Sequence, residues 1–134
     1  MTPQEATIQQ SGTLTDLLGI QWVATQPGLV RARLEIRPHH LAPNGYLHAA
    51  TIIALADTAC GFGCMGMLPG HASGFTTVEL KANYLGTARK GVIACEARMV
   101  HGGRSTQLWD AIVTAEATTK TITMFRCTQM LLTK

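Results

Sequence analysis

The stretch LHAATIIALADTACGFGCMGML, Leu47 to Leu68, decides how this chain folds. It is rich in alanine, leucine and isoleucine, contains no proline and is followed by Pro69-Gly70, so it reads as one long helix from His48 to about Met65. The helix is apolar nearly all round, with small residues (Ala49, Ala50, Ala54, Ala56, Ala59, Gly61, Gly63) on several sides. More than one layer has to cover such a helix, and a curved sheet together with a partner subunit would do so. In its middle stands Asp57, the only carboxylate between Glu35 and Glu79. An ionised carboxylate is costly to bury unless something pairs with it, which makes Asp57 the first candidate for chemistry.

The segments around the helix alternate as strands do. Thr13 to Gly19 reads as a short helix capped by Thr13 or Thr15, and Trp22 to Thr25 and Leu29 to Ile36 read as a hairpin turning at Pro27-Gly28. Val30, Ala32, Leu34 and Ile36 share one face of the second strand; Arg31, Arg33 and Glu35 share the other. Beyond the helix, Phe75 to Leu85, Gly91 to His101, Arg104 to Ala117 and Thr121 to Leu132 are four more strands separated by turn residues. Simple alternation sets Val78, Leu80, Ala82 and Tyr84 opposite Thr77, Glu79, Lys81 and Asn83. Strand, strand, long helix and four strands give an α+β architecture, an antiparallel sheet with the helix against its face.

With 134 residues, 46% hydrophobic and 14% charged, the chain is expected to be one domain spanning 1–134, with 1–12 as a flexible N-terminal segment. The formal charge of +3 is modest and the basic residues are scattered, which gives no nucleic-acid signature. Asp57, His48 and three glycines count against a membrane span in the apolar run, and the N-terminus does not read as a signal peptide. A cytoplasmic protein is expected. Cys60, Cys64, Cys95 and Cys127 have no zinc-site spacing and read as free thiols filling the core, so no metal is expected.

The start of the helix is the second candidate region. Backbone N–H groups near Ala49 and Ala50 are unsatisfied and carry partial positive charge, which suits a carbonyl oxygen or a developing oxyanion. His48 can donate to the same oxygen or orient the loop, and Asn44-Gly45 shapes the turn that presents it. Asp57 follows nine residues later, roughly 13 Å along a helix at ~1.5 Å per residue, too far to meet His48 of its own chain over one bond. Two copies related by a two-fold axis would bring one chain's helix start to the other's aspartate, so a homo-oligomer with interfacial sites is expected.

Leu41-Ala-Pro-Asn-Gly-Tyr-Leu-His-Ala-Ala50 followed by Ala54-Leu-Ala-Asp-Thr-Ala59 resembles the signature of hotdog-fold acyl-CoA thioesterases of the phenylacetic-acid-degradation type. Thr77 to Leu85 and Gly103 to Thr106 are similar to that family's later strands, and the resemblance runs from about residue 14 onward. It implies the hotdog fold, dimers or dimers of dimers, and hydrolysis of a coenzyme A thioester, with coenzyme A as part of the substrate and no further cofactor. It also implies roles: Asp57 as nucleophile or general base, Thr77 as the hydroxyl that helps place water, and His48 with the Ala49 N–H polarising the carbonyl from the opposite subunit. Thr76 competes with Thr77 for the hydroxyl role unless a bulge intervenes. Asn44 and Gly45 are candidate substrate contacts, and Arg89, Lys90 and Arg104 are candidates for the phosphates of coenzyme A. Two rival readings are an acyl-thioester dehydratase or hydratase, pairing His40 with Asp57, and a non-catalytic acyl-CoA-binding module.

Overall fold

The computed structural model describes residues 1–133. Its elements run α1 (Pro3–Gln10), α2 (Leu14–Leu18), β1 (Gln21–Gln26), β2 (Leu29–Glu35), a short 3-10 turn at Pro38–His40, α3 (Ala49–Met65), β3 (Ala72–Tyr84), β4 (Val92–Gly102), β5 (Thr106–Ala115) and β6 (Thr121–Thr133). All strand pairs are antiparallel, in the order β1-β2-β4-β5-β6-β3, and α3 lies against one face of this single sheet. This is the antiparallel sheet with one helix on its face that the order of elements implied, and the hotdog fold that the resemblance implied.

Side-chain alternation produces the two layers. In β2, Val30, Ala32 and Leu34 are buried towards α3, while Arg31 and Arg33 stand outside and pair with Glu96 and Glu116 at 3.0 and 2.9 Å. These exposed pairs contribute little to stability; they keep the outer face wet. Ile93, Cys95 and Ala97 of β4, Trp109, Ala111 and Val113 of β5 and Phe125 and Cys127 of β6 complete the inner layer. Gly63 lets α3 press close, since a Cβ there would stand 2.4 Å from the Trp109 ring. Trp109 in turn donates to Gln107, whose amide donates to the Met67 carbonyl just beyond the helix.

Three expectations need correction. Residues 1–12 are not a free segment: α1 begins with a capping box between Thr2 and Glu5 and packs on β1. Buried Gln10 accepts from the Trp22 indole at 3.0 Å and donates to the Ile20 carbonyl at 2.9 Å, so the amide and the indole satisfy each other inside the fold. Thr13 precedes α2 without a side-chain capping bond, its hydroxyl donating back to the Gln10 carbonyl. In β3 the register slips between Thr77 and Glu79, so Val78 is the extra residue of a bulge. The bulge turns Thr77 to the helix side, opposite buried Gln129, whereas strict alternation had placed it with Glu79 and Lys81.

Candidate active site

Asp57 projects from the middle of α3 along a half-buried stripe with Ile53, Ala54, Thr58 and Phe62, the side of the helix the sheet does not cover. Beside it opens a cavity of about 440 Å³ lined by Gln9, Thr58, Gly61, Phe62, Met65 and Phe75. Burial raises the Asp57 carboxyl above the usual carboxylate range, and the hydrogen bond from Thr77 opposes that rise without cancelling it. The Thr77 hydroxyl lies 3.3 Å from Asp57 Oδ1 and 2.6 Å from Gln129 Oε1. The bulge therefore selects Thr77 over Thr76 as Asp57's neighbour.

His48 is the N-cap of α3, and its Nδ1 accepts the Ala50 N–H at 2.9 Å. The Ala50 amide, expected to be free, is thereby used. A neutral imidazole whose Nδ1 accepts must carry its proton on Nε2, directed away from the cap. Ala49 N–H, first of the helix, has no partner among the described residues and is exposed with His48. One backbone donor and one imidazole donor are thus available at the helix tip. The Tyr84 hydroxyl, which sequence reasoning passed over, donates to the Ala49 carbonyl at 3.1 Å. β3 accordingly makes two side-chain hydrogen bonds to α3, from Tyr84 at the tip and from Thr77 at Asp57.

The remaining candidates divide into two places. Asn44 Oδ1 accepts the Tyr46 N–H at 3.1 Å and Gly45 has φ +87°, a left-handed value suited to glycine, so both build the turn before the helix. The Arg89 guanidinium stacks over the Tyr46 ring at 4.1 Å, and the neighbouring Ala88 carbonyl accepts from Leu47 N–H, which sets Arg89 and Lys90 beside that turn. Arg104 lies elsewhere, in the β4–β5 turn, its carbonyl accepting from His71. None of the three cations is in an ion pair among the described residues.

Within one chain, then, Asp57 and Thr77 are brought together, and the helix tip with Asn44, Gly45, Arg89 and Lys90 forms a separate group. His40 is buried with both ring nitrogens occupied, Nδ1 accepting from Arg37 N–H and Nε2 donating to the Leu18 carbonyl. It has no free nitrogen to offer in the role the dehydratase reading requires. Gln129 was also missed, although its phase was visible: Thr123, Phe125, Cys127, Gln129 and Leu131 alternate onto the buried face of β6. Among the described residues no group of three or more His, Cys, Asp or Glu side chains is placed to hold a metal ion.

The thioesterase superfamily model matches residues 44–122, from the turn before α3 into β6. The chain belongs to the thioesterase superfamily and is a thioester hydrolase. It is 31% identical over 115 residues to 1,4-dihydroxy-2-naphthoyl-CoA hydrolase of Listeria monocytogenes, covering 86% of this chain and 92% of that one. It is 28% identical over 103 residues to the proofreading thioesterase EntH of Klebsiella pneumoniae, covering 75% and 73% of the two chains. Its fold also superimposes on a mutant thioesterase of Pseudomonas aeruginosa with a TM-score of 0.93 at 24% identity, over 100% of this chain and 96% of that one.

Proposed function

We propose that the protein hydrolyses the thioester of an acyl- or aryl-coenzyme A to the free acid and coenzyme A, at sites shared between two copies of the chain. The observation that carries this is the desolvated Asp57 carboxylate, held by Thr77 at the mouth of an apolar cavity on the uncovered side of α3. A water molecule beside Asp57 loses a proton to the carboxylate as its oxygen attacks the thioester carbon. The carbonyl oxygen becomes an oxyanion between the Ala49 N–H and His48 Nε2–H of the partner subunit's helix tip. When the carbon–sulfur bond breaks, the thiolate takes the proton back from Asp57. Direct attack by Asp57 would instead give a mixed anhydride, and water attacking the aspartyl carbonyl of that anhydride would leave ¹⁸O on Asp57 after a single turnover in ¹⁸O water, whereas the first route labels only the product acid.

Two features support the shared site. The β3 edge is bare, and Thr77 and Tyr84 mark where it passes Asp57 and the helix tip. Antiparallel pairing of two β3 strands about a two-fold axis between Leu80 and Lys81 sets Thr77 of one chain opposite the partner subunit's Tyr84. Asp57 then faces the other copy's helix tip, and dimers or dimers of dimers follow. Arg89 and Lys90, beside that tip, are suited to the phosphates of coenzyme A; Arg104, farther off, would reach them only through the assembly. Gly61, Phe62, Met65 and Phe75 would then receive the acyl part. The name of the Listeria relative supports a coenzyme A thioester as the substrate class. Four buried, unpaired thiols suit a reducing compartment such as the cytoplasm, and no described helix is long and apolar enough to cross a membrane.

The test is thiol release from a panel of short, medium, long and aromatic acyl-CoA esters by the parent protein and Asp57→Ala. Release from at least one class, reduced at least ~100-fold in the variant, is expected when a catalytic base is lost. Hydration of enoyl esters without thiol release, or full turnover by Asp57→Ala, would overturn the reading.

A further inference from the structure

The Thr77 hydroxyl has two oxygen neighbours and only one proton. Gln129 Oε1, at 2.6 Å, and Asp57 Oδ1, at 3.3 Å, cannot both accept it. Gln129 is completely buried in β6, and the other end of its amide lies 3.4 Å from Cys127 Sγ. The amide is thus flanked by a hydroxyl and a thiol, each of which donates or accepts as required. Turning it over loses no hydrogen bond: Nε2 then donates to Thr77 Oγ1, and Oε1 accepts from the Cys127 thiol.

We infer that Gln129 is a positioning residue whose amide orientation follows the proton on Asp57 and, through Thr77, holds the hydroxyl in the sense each half of the reaction needs. This rests on Asp57 being the base of the proposed hydrolysis. With Asp57 ionised, Thr77 donates to the carboxylate and receives a hydrogen bond from the Gln129 amide. With Asp57 protonated, the carboxyl donates to Thr77 Oγ1, Thr77 donates to Gln129 Oε1, and Gln129 Nε2 donates to Cys127; the last two bonds are those of the present arrangement. A proton arriving on Asp57 therefore reverses three hydrogen bonds without leaving a buried polar atom unpaired. A mere packing role needs no such neighbours, since an apolar side chain fills a buried strand position at least as well.

The groups facing Asp57 leave little else to do this. β3 presents Thr77 and Phe75, α1 presents Gln9, and α3 itself presents Thr58 and Phe62. The titratable neighbours are thiols, Cys60 one turn along α3 and Cys127 behind Gln129; the hydrogen bond with Cys127 and then burial hold the Cys60 thiol well above its usual range.

The test is a double-mutant cycle in kcat with the full-length protein on its best acyl-CoA substrate, using Gln129→Met, Thr77→Ala and the pair, with Asp57→Ala as control. Gln129→Met is expected to lower kcat about tenfold at nearly unchanged KM, the scale of a misplaced catalytic group. In the Thr77→Ala background the same change should cost less than about twofold, because Gln129 acts only through that hydroxyl. Gln129→Glu keeps the shape but, once ionised, only accepts; it should take the Thr77 proton and move the acid limb of kcat to higher pH. It also serves if Gln129→Met does not fold. A loss that persists without Thr77, or an unmoved acid limb in Gln129→Glu, overturns the inference. Turnover surviving in Asp57→Ala overturns the catalytic reading instead.

Discussion

At the β1 edge the chain covers itself, whereas at the β3 edge it stops short. α1 lies over β1, Gln10 locks Trp22 and Ile20, and Trp22 is only 8% exposed, its ring edge-on to Phe62. β3 has no neighbour beyond β6, and Val78, Leu80, Tyr84 and Leu85 are 54, 39, 42 and 58% exposed. An edge strand with unpaired backbone groups and a row of apolar side chains is a template for pairing with another chain. It is also the strand that touches both halves of the candidate site. The first edge is thus a matter of stability within one chain; the proposed function makes the second a matter of assembly and catalysis.

Substitutions at the two edges should separate these roles. Leu80→Asp places a charge at the centre of the bare edge; sedimentation should show dimers dissociating and thiol release falling to background, while Arg31→Ala on the outer face leaves both unchanged. Dissociated chains that still turn over substrate would break the link between assembly and chemistry.

Asp57→Asn comes next, with at least ~100-fold loss of kcat and an unchanged oligomer. Because burial raises the Asp57 carboxyl in the folded state, folding favours its protonated form. That favourable contribution is complete below the unfolded carboxylate range and is lost as pH climbs through the raised folded value. At neutral pH the ionised group therefore costs stability, and asparagine should raise Tm by roughly a few degrees, a gain that disappears in acid. The parent's kcat should fall as pH drops through the same raised value, so its acid limb lies above the ordinary aspartate range. A limb within that range would separate Asp57 from the rate.

His48→Ala removes the cap on the Ala50 amide and the imidazole donor together. A loss of about tenfold to a hundredfold in kcat is expected, with about 1 kcal/mol of stability from the cap. Gln10→Ala, at the closed edge, is the smallest in activity: calorimetry should show about 1–3 kcal/mol lost from the unsatisfied Trp22 and Ile20 groups, with turnover per folded molecule unchanged. A comparable fall in turnover would mean that the closed edge takes part in the site.

The same contrast explains what could be read from the sequence. The long helix, the Arg31/Arg33 face of β2 and the isolation of Asp57 are local patterns, and each is where periodicity put it. Thr77's face is not local, because it depends on a bulge whose extra residue shows only against the register of β6. Gln129 and Gln10 stand at buried positions because partners 52 and 12 residues away, in other elements of the fold, satisfy them, and the periodicity of one element does not show a partner in another. α1 was missed because its apolar content is slight; the Thr2–Glu5 capping box and Pro3 at the first helical position were its readable signals.

Subunit mixing tests the shared site most directly. Asp57→Ala chains and His48→Ala chains are each impaired, but half of the dimers from an equal mixture are hybrids. In a shared arrangement each hybrid holds one site with both groups intact, so mixing should restore about one quarter of parental activity, as two-fold symmetry requires. If each site is built within one chain, every site in every hybrid is broken, and a mixture no more active than the average of the two variants would contradict the account.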